Sequence, residues 1–441
     1  MKIYLALLAF LILSAVNAFG EEPQSAEQLP ALIDTALRNN PELKSSQARW
    51  KMYAGRAQQA GSLEDPMFMF KLQDMVARQP LSFGGKDPQT AKVIGISQQL
   101  PFWGKRGLKE EAAQYEAESF RWGVEERKLE LRRMVMETYY QIYAVDKALE
   151  IIARNLRILQ DFTTIAESRY SVGQGAQQDI FKAGLEQSKM LDMQITLRQQ
   201  RTSLAANLNY LLYRSPTIPI GPIADFELPP IRQTPEQLLV MAQENRPQVK
   251  SLIMLANKGD VGHRLARKEF YPDFNLSFEY MFRERAMEDP GYNMFTVGLT
   301  FNLPFQRERR QAMLAESASE TAMFTEELNS LKNSIGYAIN DTLAQMERRK
   351  KLVELYTGGI LPQAEQSLES ALISYQVGKV DFLTLLDGRV SLFNYERELY
   401  ESKAEYMMQL ARLEATVGLD FSQLPPASGG GEENVIKPAG Q

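Results

Sequence analysis

The stretch YPDFNLSFEYMFRERAMEDPGYNMFTVGLTFNLPF, residues 271–305, decides the fold. In its first arm Phe274, Leu276, Phe278, Tyr280 and Phe282 alternate with Asn275, Ser277, Glu279, Met281 and Arg283. In its second arm Phe295, Val297, Leu299, Phe301 and Leu303 alternate with Met294, Thr296, Gly298, Thr300 and Asn302. Strict period-two alternation gives a strand one apolar and one polar face. Between the arms, Glu288-Asp289-Pro290-Gly291 is a turn signal: proline sets φ and glycine accepts a positive one. Each arm has about 9–11 residues, the length of a tilted strand that crosses a bilayer. One reading is a membrane hairpin with lipid-facing aromatics and a wet inner face. The other is a hairpin of a soluble sandwich.

Outward from this hairpin, composition removes most chemistry. The 441 residues include no cysteine and one histidine, His263, so disulfides, thiol catalysis and Cys/His metal sites are excluded. A net charge of −5 does not favour nucleic acid as a partner. Lys2 followed by the apolar run Ile3 to Leu13, with Val16-Asn17-Ala18 as a small-residue cleavage site, predicts a secretory signal peptide over 1–18. No later run is apolar for ~18 residues, so strands are expected to make any membrane crossing.

The chain also repeats itself. Pro41 and Pro247 lie 206 residues apart, as do Pro66 and Pro272. Leu100-Pro101-Phe102 and Leu303-Pro304-Phe305 are offset by 203, and Tyr170-Ser171-Val172-Gly173 and Tyr375-Gln376-Val377-Gly378 by 205. Four landmarks in one order at near-constant spacing indicate a tandem duplication. The first copy spans 19–214 and the second 235–419, joined by a proline-rich linker, 215–234, and followed by a disordered tail, 420–441. The first copy therefore needs strands at about 67–76 and 90–100, joined by a Gly/Pro-rich loop, to match those at about 273–283 and 293–303.

Each strand pair precedes a helical reading. Apolar residues at three- and four-residue spacing predict helices over about 105–169 and 176–214, then 307–375 and 381–417. Val135, Tyr139, Ile142 and Leu149 form one seam; Leu131, Met134, Val145 and Ile152 form a second. Two seams mean two helical neighbours, as in a ring of helices. Gly358-Gly359 and Pro362 predict a kink in the outward helix of the second copy. Shorter helices are expected over 26–39 and 235–245. Four strands alone leave unpaired backbone at both edges in lipid, and membrane barrels begin at about eight strands. More than one chain is therefore required.

At this point the residues resemble the TolC-like outer-membrane efflux proteins. The likeness rests on the duplicated strand–strand–long-helix-pair plan and the two Leu-Pro-Phe strand exits. It rests also on Gly104-Lys105-Arg106 and the two Tyr-x-x-Gly helix turns. The resemblance implies a mainly α protein with a membrane β-barrel: a homotrimer whose twelve-stranded outer-membrane barrel continues into a periplasmic α-helical coiled-coil barrel. It implies a periplasmic adaptor (membrane fusion) protein and an inner-membrane pump of the RND type as partners, with outer-membrane lipid around the strands. The function implied is a passive exit duct for small molecules or metal ions. A protein-secretion duct and a non-conducting coiled-coil tether are the alternatives.

By the same resemblance Val172, Gly173, Val377 and Gly378 are adaptor-contacting helix tips, beside the plain reading that glycine closes a helical hairpin. Asp179 and Asp387 match acidic positions at the tunnel entrance, whereas Lys182 and Thr384 depart from that pattern. Helix-start carboxylates are the plain reading of both aspartates. Trp103 is expected at the membrane interface or in a core. The strand methionines Met67, Met69, Met281 and Met294 are read as packing residues rather than as ligands. No catalytic set stands out, so neither enzyme nor cofactor is expected.

Overall fold

The computed structural model describes residues 28–75, 87–286 and 288–421. The expected signal peptide, most of the loop between the first two strands and residues 422–441 lie outside the described residues. Nine α-helices and four strands are described. In order they are α1 (Leu29–Asn39), α2 (Pro41–Ala60), β1 (Met67–Gln73), β2 (Ala91–Leu100), α3 (Lys105–Ser171), α4 (Gln177–Leu211), α5 (Pro235–Asn245) and α6 (Pro247–Lys268). The second half continues with β3 (Phe274–Arg283), β4 (Met294–Phe301), α7 (Arg307–Leu355), α8 (Leu361–Gln376) and α9 (Phe382–Val417).

The strands form one antiparallel sheet in the order β1-β2-β3-β4, so the two copies join through β2 and β3. The register sets Gly95 opposite Glu279 and Glu279 opposite Thr296, so polar residues align across the sheet. The other face carries Phe68, Phe70, Ile96, Leu276, Phe278, Phe295, Val297, Leu299 and Phe301, all exposed in the single chain. β1 stops at Gln73, short of the expected 76, because Asp74 turns the chain with φ 53°.

Two elements were not delimited from the sequence. Residues 41–60 and 247–268 are helices, each opened by proline at its first position, where the missing N–H has no partner to lose. Each meets the end of another helix. The Asn40 side chain caps α2 and donates to the last carbonyl of α4, Leu211, at 3.2 Å. Gly418, just past α9, lies so close to Arg246 that an added Cβ would stand 2.8 Å from its Cα. The short helices α2 and α4 flank α3 along its length; α6 and α9 flank α7 in the same way.

Where those ends meet lies the main core, with Val135, Ile142, Tyr143, Leu208, Leu212, Leu238, Ile339, Leu413 and Val417 buried. Each such aliphatic side chain contributes roughly 1.5–3 kcal/mol by leaving water. The linker is no free connection. Ile220 and Ile223 enter this core, and the Tyr143 and Tyr406 hydroxyls donate to Asp225 (2.7 Å) and the Pro229 carbonyl (2.6 Å). It straps the two copies together. Two residues assigned to the tail are held in place: Asp420 pairs with Arg132 at 2.6 Å, and the Phe421 N–H donates to Glu414.

The helix expected over 307–375 is broken by a π-helical turn, Tyr356–Ile360, just ahead of Pro362. In the first copy α3 runs unbroken for 67 residues. No described helix is long and apolar enough to cross a membrane.

Candidate functional site

The two helix turns come together, with Arg169 of the first reaching Tyr375 of the second. α3 closes with Gly173 at φ 74°, the Gln174 N–H donating to the Arg169 carbonyl at 2.8 Å. α8 closes the same way, with Gly378 at φ 74° and the Lys379 N–H donating to the Ser374 carbonyl at 2.9 Å. This left-handed closure satisfies orphan carbonyls and strongly favours glycine. It turns Val172 and Val377 outward, 65% and 64% exposed, so each turn presents an apolar tip.

The turns differ in their surroundings. The Arg169 guanidinium donates to the Tyr375 carbonyl and lies over the Tyr375 ring at 4.7 Å. Tyr375 is 4% exposed and packs against Phe382, whereas Tyr170, its counterpart in the first copy, is 46% exposed. Burial, with Asp179 nearby, pushes the Tyr375 phenol above its ordinary pKa.

Asp179 lies in the first turn of α4, in keeping with a helix-start carboxylate. Asp387 does not: it is the sixth residue of α9, beyond the reach of the helix terminus, and it is exposed. The residue that caps α9 is Asp381, where the sequence placed the start of that helix without assigning it a capping role. Its carboxylate accepts from the Thr384 N–H at 2.9 Å and from the Thr384 hydroxyl at 2.5 Å. The Thr384 hydroxyl foremost, then its N–H, with Lys182 nearby, holds the Asp381 carboxyl below its usual range. Asp-x-x-Thr at the head of an apolar run was the signal available. Within 169–182 and 375–387 the charges balance: Arg169, Lys182 and Lys379 against Asp179, Asp381 and Asp387.

At the other end, the polar face of the sheet carries Lys71, Glu279, Arg283, Ser277, Asn275, Thr296 and Thr300. All four strand methionines share it, Met281 directly opposite Met294 and Met69 opposite Gly95. Gly95 makes room there, since an added Cβ would meet Met69 and Glu279 at 3.1 and 3.2 Å. Arg283 donates to Met294 Sδ at 3.8 Å and pairs with Asp289 at 2.5 Å. Among the described residues no three His, Cys, Asp or Glu side chains converge as a metal site. His263 meets the Ser317 hydroxyl at 3.2 Å between α6 and α7.

The sheet joins the helices through Lys105. Its side chain is 2% exposed, with Nζ 3.0 Å from Asp273, 3.3 Å from Glu269 and 3.2 Å from the Tyr271 carbonyl. Asp273 also accepts the Phe102 N–H at 2.8 Å. Trp103, beside this joint, is 74% exposed and meets Phe274 edge-on at 5.5 Å, so it is no core tryptophan.

The family model for the outer membrane efflux protein matches residues 32–212 and again 238–419. The cobalt-zinc-cadmium resistance protein CzcC of Cupriavidus metallidurans is 22% identical over 391 residues, covering 86% of this chain and 87% of that one. The fold is similar to that of the outer membrane protein VceC from Vibrio cholerae, with a TM-score of 0.75 and 19% identity over 89% of this chain and 97% of that one. It is also similar to the open state of the MtrE outer membrane channel from Neisseria gonorrhoeae, with a TM-score of 0.73 and 18% identity over 89% of each chain.

Proposed function

The chain belongs to the outer membrane efflux protein family, and from that premise we propose that it is the outer-membrane exit duct of a tripartite efflux system, conducting small molecules or metal ions passively. Three copies close a twelve-stranded barrel, and the helices prolong it as a periplasmic tunnel toward an adaptor and an inner-membrane pump. One observation carries this reading: a four-stranded sheet, apolar across one face and polar across the other, with β1 and β4 as unpaired edges. In hydrocarbon each unpaired N–H or C=O costs several kcal/mol, so β4 of one copy must pair with β1 of the next. The lateral helices agree. α4 leaves Phe181, Leu185 and Ile195 exposed along one face, which a neighbour's α8 would cover.

The inner face of such a barrel would be wet and of mixed charge, with Lys71, Glu279 and Arg283 from each copy. That suits a conduit that does not sort its cargo, leaving selection to the pump. Val172, Gly173, Val377 and Gly378 offer the adaptor its contact, and Asp387 lines the entrance. Trp103 sits at the membrane boundary, where an amphipathic ring is favoured. The test is the mass of the detergent-solubilised protein together with its current in planar bilayers. A trimer that conducts is expected; a stable monomer, or a trimer that carries no current under any condition, overturns the proposal.

A further inference from the structure

Where β2 ends, three rings and a cation gather at the rim of the sheet. Phe102 stacks on Tyr271 at 4.5 Å and meets Trp103 edge-on at 5.4 Å. Trp103 in turn reaches Phe274, which opens β3 on the same face as Leu276 and Phe278. The cluster thus continues the apolar face of the sheet to the ends of the helices. Over it lies Lys268, the last residue of α6, with Nζ 5.5 Å from the Phe102 ring and 5.7 Å from the Tyr271 ring. The rings are held firmly. The Phe102 N–H donates to Asp273, and the Tyr271 carbonyl accepts from the buried Lys105, so both backbones are pinned. Two carboxylates of this end are engaged elsewhere, Glu269 with Lys105 and Glu111 with Arg264. Lys268 and the exposed Arg267 have no carboxylate partner among the described residues. An added Cβ at Gly104 would meet only the Lys268 side chain, at 4.0 Å, so the space between Trp103 and that cation is open.

The duplication supplies its own control. At the second strand exit, Leu303-Pro304-Phe305, Gln306 stands in the place of Trp103. Ahead of β1, Gly61, Ser62 and Asp65 stand where Arg267, Lys268 and Tyr271 stand ahead of β3. Arg307 brings a cation to the second exit, but without stacked rings beneath it. The strand it meets in the closed barrel, β1, is preceded by the carboxylates Glu64 and Asp65. One exit in each copy therefore joins cations to an aromatic shelf, and the other does not.

We propose that this shelf binds the headgroup of an anionic phospholipid of the periplasmic leaflet, one in each copy. The phosphate meets Lys268 and Arg267, the glycerol backbone lies against Trp103, and the acyl chains run along Phe274 and Leu276. Each part suits its place. An ammonium over ring faces is held without losing its charge. An indole is favoured at headgroup level. A cation at a membrane surface adds about fivefold to the affinity for acidic lipid. The inference goes beyond the conduit reading and rests only on its lipid-facing sheet.

Trp103 reports on its own surroundings. The chain has three tryptophans, so with Trp50→Phe and Trp122→Phe the full-length protein in phosphatidylcholine vesicles fluoresces from Trp103 alone. Bromine on an acyl chain quenches only an indole close to it. Brominated phosphatidylglycerol is expected to quench at least about fivefold more effectively than brominated phosphatidylcholine, mole for mole. Adding Lys268→Ser and Arg267→Gln is expected to bring the two lipids within about twofold of each other. Moving the reporter to the second exit, by Trp103→Phe with Gln306→Trp, is expected to show the same near-equality. Equal quenching at Trp103 overturns the assignment, as does a preference that survives the loss of both cations. An equal preference at the second exit also overturns it, reducing the site to a general attraction for acidic lipid. Should the tryptophan variants not assemble, native mass spectrometry of phosphatidylglycerol retained by the wild-type and Lys268→Ser, Arg267→Gln proteins decides, equal retention overturning the proposal. No quenching by either lipid would remove the lipid-facing sheet and the exit-duct reading with it. A protein that shows the preference but carries no current supports the lipid site and sinks the exit-duct reading alone.

Discussion

Tyr213 and Gly418 occupy the same place in the two copies, 205 residues apart, and both are left-handed, with φ 53° and φ 82°. Each follows the helix that meets the head of a short proline-led helix. At one the Arg214 N–H donates to the Asn209 carbonyl; at the other the Leu419 N–H donates to the Glu414 carbonyl. A left-handed L residue is disfavoured by about 1–2 kcal/mol, and the Tyr213 ring is exposed. Tyr213→Gly is therefore expected to stabilise the protein by about 1 kcal/mol, read as a higher denaturant midpoint. Gly418→Ala is expected to destabilise by more than that, because its Cβ would strike the Arg246 backbone as well.

Lys105→Met would leave Asp273 and Glu269 facing a buried side chain without a counter-charge. Both carboxylates keep contact with water, so the loss is expected to be about 1–3 kcal/mol. A lower melting temperature and a poorer yield of assembled protein are expected. Lys71→Met, on the exposed polar face of β1, is the control and should leave both unchanged.

Across the seam between α3 and α9, Arg389 Nε donates to Asn155 Oδ1 at 2.5 Å, and both side chains are buried. Burial pushes the Arg389 pKa down, and its Nη2 finds no partner among the described residues. Arg389→Met removes a poorly compensated charge but strands the buried Asn155 amide, whose Nδ2 already finds no partner among the described residues, so the two effects offset and a change within about 1 kcal/mol is expected. Asn155→Leu should destabilise by about 2 kcal/mol, because it strands the guanidinium. Thermal unfolding of the two variants separates the cases.

Glu414 carries a pH prediction. Burial raises its pKa above the ordinary 4.5, more than Arg132 lowers it. The folded state thus holds this proton more tightly than the unfolded chain. The resulting stabilisation is fully present below the unfolded value and declines as pH rises through the folded one. Glu414→Gln keeps the acceptor for the Phe421 N–H and should raise the melting temperature at pH 7.5 relative to wild type. At pH 4 the difference should vanish.

At the entrance, Asp387→Asn should lower the preference for cations over anions by up to about twofold, read from the reversal potential in a salt gradient. The effect stays small because basic and acidic residues balance at the turns. An unchanged reversal potential would remove Asp387 from the pathway.

What could be read from the chain in advance followed from local rules. Phe274 to Phe282 alternate because successive strand residues face opposite ways, and Gly173 and Gly378 stand where a helix must end left-handed. The helices over 41–60 and 247–268 were not delimited, for the opposite reason. Pro41 and Pro247 suggested boundaries when they mark first turns. Asp387 drew the eye as an acidic position, whereas Asp381, six residues earlier, is the one that caps α9.

The sequence by itself determined the duplication, the two-faced strands and the paired helix turns. Each of these is written in spacing, and spacing is a property of backbone geometry that neighbouring residues impose on one another. Only the tertiary structure decided that the linker straps the halves, that Lys105 sits buried between two carboxylates, and that Arg169 reaches Tyr375. Those contacts join residues between 82 and 206 positions apart. No local preference encodes them, and they exist only once packing has brought the two copies side by side.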